Sequence, residues 1–93
     1  MEVKLKLLQE KTFRKDIKKI ENNKKARKTL NEVLAVLTNG QKLNAKYKEH
    51  KLVGDKKDYL ECHVLPDLVL IYQITPTELK LNRICNHSEL LKK

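Results

Sequence analysis

The chain reads as an α+β domain of order β-α-α-β-β-β: a two-helix hairpin packed on one face of a four-stranded, mainly antiparallel sheet. Three observations carry that expectation. The hydrophobic period changes from two residues to a helical repeat near Glu10. Two helical stripes then follow each other across a two-asparagine break. Beyond a basic loop, the run YLECHVLPDLVLIY (Tyr59–Tyr72) reads as a hairpin turning at Leu65-Pro66-Asp67. Ninety-three residues suffice for one domain, taken as residues 1–93, with a modest core.

Val3, Leu5 and Leu7 alternate with Lys4 and Lys6, which predicts a half-buried first strand. Phe13, Ile17 and Ile20 recur at i, i+4 and i+7, while Lys11, Arg14, Lys15, Lys18 and Lys19 cover the other side of a first helix. Asn22-Asn23 interrupts it. Ala26, Leu30, Val33, Leu34 and Leu37 form the stripe of a second helix, with Asn39-Gly40 as a left-handed stop. So short a break predicts an αα-hairpin. Residues 41–57 show no sustained period. Leu43, Tyr47 and Leu52 are the expected anchors of this loop, which holds His50 and six lysines. Loops this long in small domains are often functional.

In the hairpin, Glu61 and His63 share one strand face, and Cys62 shares the other with Leu60 and Val64. The second hairpin strand is a nearly continuous apolar run, as expected deep in a sheet. After a turn at Thr75-Pro76-Thr77, a last strand runs from Leu79 to about Cys85. Arg83 there shares parity with Leu79 and Leu81, which requires either a bulge before Arg83 or a face that is polar at one end. Leu90 and Leu91 are expected to pack the terminus down.

The formal net charge is +9, and 17 of the 21 basic residues lie in the first 60 positions, where acidic residues number 8. That asymmetry favours a polyanionic partner, nucleic acid or an acidic protein, although a lysine-rich face also serves solubility. Two cysteines without CxxC spacing argue against a disulfide framework. Cys62 and His63 point to opposite faces of one strand and cannot share an ion there, so no metal and no cofactor are expected. No apolar run reaches the ~20 residues of a membrane span, and no signal-peptide core opens the chain. The expected setting is the cytoplasm, with no membrane partner.

Chemistry is concentrated in the second half. His50, His63 and His87, with Glu61, Asp67 and Arg83, supply the parts for acid–base cleavage of a phosphodiester. RNA cleavage without a metal needs a base for the 2′-OH, an acid for the leaving 5′-oxygen and a cation for the phosphorane. Histidine serves either of the first two roles, and arginine binds phosphate oxygens in pairs. Each residue also has a plain alternative: His50 a solvated loop residue, Arg83 an ion-pair partner, Asp67 a cap for the Pro66 turn.

The segments KYKEHKLVG, ECHVLPDLVLIY and HSELL, in that order, resemble the YafQ branch of the RelE-like toxins of bacterial toxin–antitoxin systems. The runs that hold them, residues 43–74 and 82–91, cover about half the chain. The resemblance implies a ribosome-dependent mRNA endonuclease, neutralised by a cognate antitoxin in a hetero-oligomer. It puts the family's functional positions on His50, His63, Asp67, Arg83 and His87, with Glu61 nearby. His50 is then the expected general base and His87 the general acid. His63 and Asp67 orient groups or stabilise charge, and Arg83 binds the scissile phosphate. Glu61 and the lysines Lys46, Lys48, Lys51 and Lys57 are expected along the RNA. The chain departs from the pattern at Leu68, where an aromatic usually follows the aspartate. It also departs at Leu60 (usually arginine), in Ile84-Cys85-Asn86 (small residues usually precede the histidine) and at Leu91 (usually phenylalanine). Those losses of aromatic surface keep a second reading open, a non-catalytic module of the same fold that binds RNA or an antitoxin.

Overall fold

The computed structural model describes residues 4–52, 54, 58–86 and 88. In chain order it comprises β1 (Lys6–Gln9), α1 (Lys11–Lys19), α2 (Lys24–Thr38), a 3₁₀ turn (Ala45–Tyr47), β2 (His50–Lys51), β3 (Leu60–Leu65), β4 (Leu68–Ile74) and β5 (Glu78–Asn86). The sheet order is β1-β5-β4-β3-β2. β1 runs parallel to β5, and every other pairing is antiparallel. The class is the α+β fold expected, with five strands in place of four. The added strand is His50–Lys51, which pairs with Glu61 and Leu60 at the sheet edge. Two residues are too few for alternation to show, so nothing in the loop's composition announces this strand.

The helix boundaries follow local chemistry. Asn23 caps α2, its side-chain oxygen accepting from the Ala26 amide at 3.0 Å. Gly40 takes φ 70° beyond the helix end, a left-handed conformation that favours glycine. The αα-hairpin lays Phe13, Leu30, Val33 and Leu37 on one sheet face, against Cys62, Val64, Leu70, Tyr72, Leu79, Leu81 and Ile84. Truncating a residue such as Leu70 or Leu81, both fully buried, is expected to cost about 2–5 kcal/mol. Leu5, just before β1, is buried, but Leu7 on β1 is 38% exposed, because β1 is an edge strand of the sheet. Val3 lies outside the described residues.

A bulge settles the parity of Arg83. Tyr72 pairs with Leu81 while Ile71 pairs with Arg83, so Asn82 is an extra residue with no partner on β4. Leu79 and Leu81 before the bulge, and Ile84 after it, all reach the helix-side core. Arg83 is thereby turned to the second face, in the same row as Ile71 and Glu61. The Asn82 amide donates to Glu10 at the start of α1 (3.4 Å).

Of the loop anchors, Leu43 is buried, and Tyr47 and Leu52 are half-buried. Tyr72, wholly buried on β4, sends its hydroxyl out of the core to donate to Glu49. This bond holds the loop immediately before His50. Burial raises the Tyr72 phenol above its usual range, and its bond to the Glu49 carboxylate adds to the effect. Cys62, beside it, is pushed up to about 12, chiefly by burial. Both groups stay protonated at neutral pH, and the thiol is inert.

Candidate active site

The second face of the sheet collects the chemistry. Strand register forms one row, His50–Glu61–Ile71–Arg83, and beside it another, His63–Val69–Cys85. Val69, Ile71 and Cys85 are buried, which gives the polar residues around them a rigid apolar floor. Glu61 is only 5% exposed. Its Oε1 lies 3.2 Å from His50 Nε2 and 3.9 Å from His63 Nε2. The two imidazole centroids stand 6.4 Å apart, tilted by 41°. One carboxylate therefore orients two histidines that are 13 positions apart in sequence.

The ring of His50 is fixed from behind as well. Lys48 adopts the left-handed conformation (φ 52°), and its carbonyl lies 2.9 Å from His50 Nδ1. A carbonyl only accepts, so Nδ1 carries a proton there. The contact between Nε2 and Glu61 is then attractive only with a second proton shared between them.

Arg83 is gripped by a residue that sequence reasoning does not single out. Asp16 of α1, 2% exposed, accepts from Arg83 Nε at 3.0 Å, from its terminal nitrogen at 3.1 Å and from the Ile84 amide at 3.1 Å. The topology explains the position. β1 pairs with β5 only as far as Leu81, and the Glu10 amide makes the last bond to that strand. α1 continues along the open β5 edge, so Asp16 meets an amide that β1 no longer reaches. The signal is present in the sequence: Phe13, Asp16, Ile17 and Ile20 are spaced i, i+3, i+4, i+7, putting a carboxylate on an apolar stripe. The ion-pair alternative for Arg83 is thus realised. Its side chain keeps 25% exposure.

The remaining expected residues divide. Asp67 is exposed at the hairpin turn, next to Leu68, which pairs with Asn86 at the end of β5. Lys46, Lys48 and Lys51 are exposed around His50, with Lys46 Nζ 5.2 Å from the Tyr47 ring centroid. His87 and Lys57 lie outside the described residues. Glu61 is buried and occupied by imidazoles, so the expected RNA contact there becomes an anchor for the two histidines. Cys62 and His63 do take opposite faces, and no group of three His, Cys, Asp or Glu among the described residues is disposed to hold a metal. No described helix is long and apolar enough to cross a membrane.

Comparison with known proteins places the sequence and the fold. Residues 5–92 match the family described as bacterial toxin of type II toxin–antitoxin system, YafQ. The mRNA interferase toxin YafQ of Escherichia coli (strain K12) is 35% identical over 79 residues, covering 84% of this chain and 86% of that protein. Among solved structures, the E. coli DinJ–YafQ toxin–antitoxin complex is 31% identical, covers 97% of this chain and 100% of its own, and superposes with a TM-score of 0.86. A copper-bound mutant toxin from Helicobacter pylori is 39% identical, covers 94% of this chain and 99% of its own, and also gives 0.86. With both the fold and nearly the full length matched, the chain belongs to the YafQ family of bacterial toxins of type II toxin–antitoxin systems.

Proposed function

We propose that this toxin is an mRNA endonuclease that cuts message on the ribosome by metal-independent acid–base chemistry, in the cytoplasm, and is silenced by a cognate antitoxin. The observation that carries the reading is the row in which two histidines share the buried Glu61, with Arg83 two strands away. Relatives named as mRNA interferase toxins, and a neighbour solved with its antitoxin, support the activity class and the partner.

Two strand spacings put the backbones of Glu61 and Arg83 about 10 Å apart. A phosphate seated between His50 and Arg83, at the rim of the row, would meet both. His50 in its neutral form, with Nε2 turned from Glu61 to the substrate, takes the proton of the 2′-OH. The 2′-oxygen attacks phosphorus, and the bond to the 5′-oxygen breaks. His87 supplies a proton to that leaving oxygen, so the products are a 2′,3′-cyclic phosphate and a 5′-hydroxyl. Arg83, oriented by Asp16, brings its guanidinium charge to the phosphorane. His63 and Asp67 orient groups or stabilise charge at the rim. Lys46, Lys48, Lys51 and Lys57, with the basic helix surfaces, hold the RNA and the ribosomal RNA, a contact that weakens steeply with salt.

The test is induction in growing cells with mapping of message ends. Wild type is expected to arrest translation and to leave 2′,3′-cyclic phosphate ends, and His50→Ala and His87→Ala are expected to do neither at equal protein levels. Arrest with intact message would make the chain a non-catalytic binder. Full toxicity of His87→Ala would remove that residue as the acid.

A further inference from the structure

A groove of about 400 Å³ opens beside the histidines, between α2, the 3₁₀ turn and the end of β3. We propose that it is a base-reading subsite, in which the nucleobase next to the scissile phosphate is held and Glu32 selects bases that carry an amino group. The inference rests on the endonuclease reading and specifies how that site would discriminate among messages.

The groove exists because β2 is short. β2 pairs only with Leu60 and Glu61, so among the described residues this edge of β3 has no strand partner from Cys62 to Leu65, and a gap remains between β3, the 3₁₀ turn and α2. Its volume lies near the lower end of the roughly 300–1,000 Å³ typical of small-ligand sites, suited to one nucleoside. It is continuous with the catalytic row, because His63 lines the groove and is also 3.9 Å from Glu61.

The lining has the composition that a base requires. Tyr47, Leu65 and Pro66 provide an apolar wall. Lys46 and Lys48 stand at the same groove, where a sugar–phosphate chain would run. Glu32 and Thr29 face it from α2, three residues apart and so on one side of the helix. Among the described residues no salt bridge engages Glu32. An ionised carboxylate only accepts hydrogen bonds. It can pair with the exocyclic amino groups of adenine, cytosine or guanine, whereas uracil offers it only N3–H, flanked by two carbonyl oxygens that repel the carboxylate. The Thr29 hydroxyl donates or accepts and so serves any of the three. Neither a folded core nor the acid–base chemistry calls for this exposed carboxylate beside two lysines.

Cut positions are to be mapped on translating ribosomes for messages differing by single bases around one cut, using wild type, Glu32→Gln and Glu32→Ala. Binding of each purified variant to the cognate antitoxin is measured in parallel. The wild type is expected to disfavour uracil at one position beside the cut by about tenfold. Glu32→Gln, whose amide can donate to a uracil carbonyl, is expected to lose that preference while retaining wild-type melting and antitoxin affinity. Glu32→Ala should flatten the preference without creating a new one. An unchanged cut profile in both variants overturns the proposal. So does a loss of antitoxin affinity with the profile retained, which would assign the groove to the antitoxin. Absence of cutting by the wild type overturns the endonuclease reading itself and this inference with it.

Discussion

Asp16 offers the sharpest quantitative test, because its three hydrogen bonds join α1 to the strand that carries the phosphate-binding candidate. Asp16→Ala strands the Ile84 amide, a buried donor, at a cost of about 1–3 kcal/mol. It also deprives Arg83 of a bidentate carboxylate. Breaking a fully buried pair costs about 3–5 kcal/mol, but the Arg83 side chain keeps 25% exposure and is partly rehydrated. A contribution of about 1–2 kcal/mol is then reasonable for that pair. The sum is about 3 kcal/mol, or a fall of about 15 °C in melting temperature for a domain of this size. The assay is thermal and urea unfolding of wild type, Asp16→Ala, Arg83→Ala and the double variant. A coupling energy of about 1–2 kcal/mol between the two sites is expected. Below its melting temperature, Asp16→Ala should also cleave RNA nearly as poorly as Arg83→Ala, since an unheld guanidinium loses its aim. An Asp16→Ala variant within about 0.5 kcal/mol of wild type, or coupling indistinguishable from zero, would refute the role of Asp16 as the clamp on Arg83 and β5.

Two further outcomes follow from the Tyr72 cluster. Tyr72→Phe removes only the hydroxyl that holds Glu49. Because Glu49 can rehydrate, unfolding stability should fall by about 1.5 kcal/mol. Hydrogen exchange should rise at residues 48–51, and Glu49→Gln, which retains an acceptor, should restore most of the protection lost in Glu49→Ala. The second concerns alkaline pH. The Cys62 thiol titrates near 9.0 when unfolded and at about 12 in the fold, and Tyr72 is raised in the same direction. Above pH 9 the native state therefore binds more protons than the unfolded chain, so stability is full below that pH and declines as pH rises toward 12. The slope approaches about 1.4 kcal/mol per pH unit for each group. Urea midpoints of wild type and Cys62→Ala between about pH 8 and 11 check it; parallel pH profiles would contradict the thiol's part.

Much of the architecture is legible in the residues themselves. Helical and strand periods locate α1, α2, β3, β4 and β5, because each buries one apolar face and therefore repeats at its own spacing. Asn23 and Gly40 mark helix ends through chemistry that is local to those positions. The parity conflict at Arg83 leaves a bulge or a half-polar face as its two explanations, and the structure has the bulge, at Asn82. His50, Glu61 and His63 stand out as chemistry-bearing residues, and β2 and β3 bring them together on one carboxylate.

What the periods cannot express is pairing between distant segments. A two-residue strand carries too little pattern to be seen, yet β2 sets His50 opposite Glu61 and leaves the β3 edge open as a groove. Asp16 lies 67 positions from Arg83. Its stripe position indicates burial, but only the passage of α1 along the β5 edge decides what it meets. Glu61 looks from its composition like a surface carboxylate near RNA, and sheet register makes it the buried anchor of two imidazoles. Residue types and local spacing determine which elements form and which side chains could do chemistry. Strand order, register and one bulge decide which of them share a face, because those are long-range contacts whose free energy appears only once the chain has closed on itself.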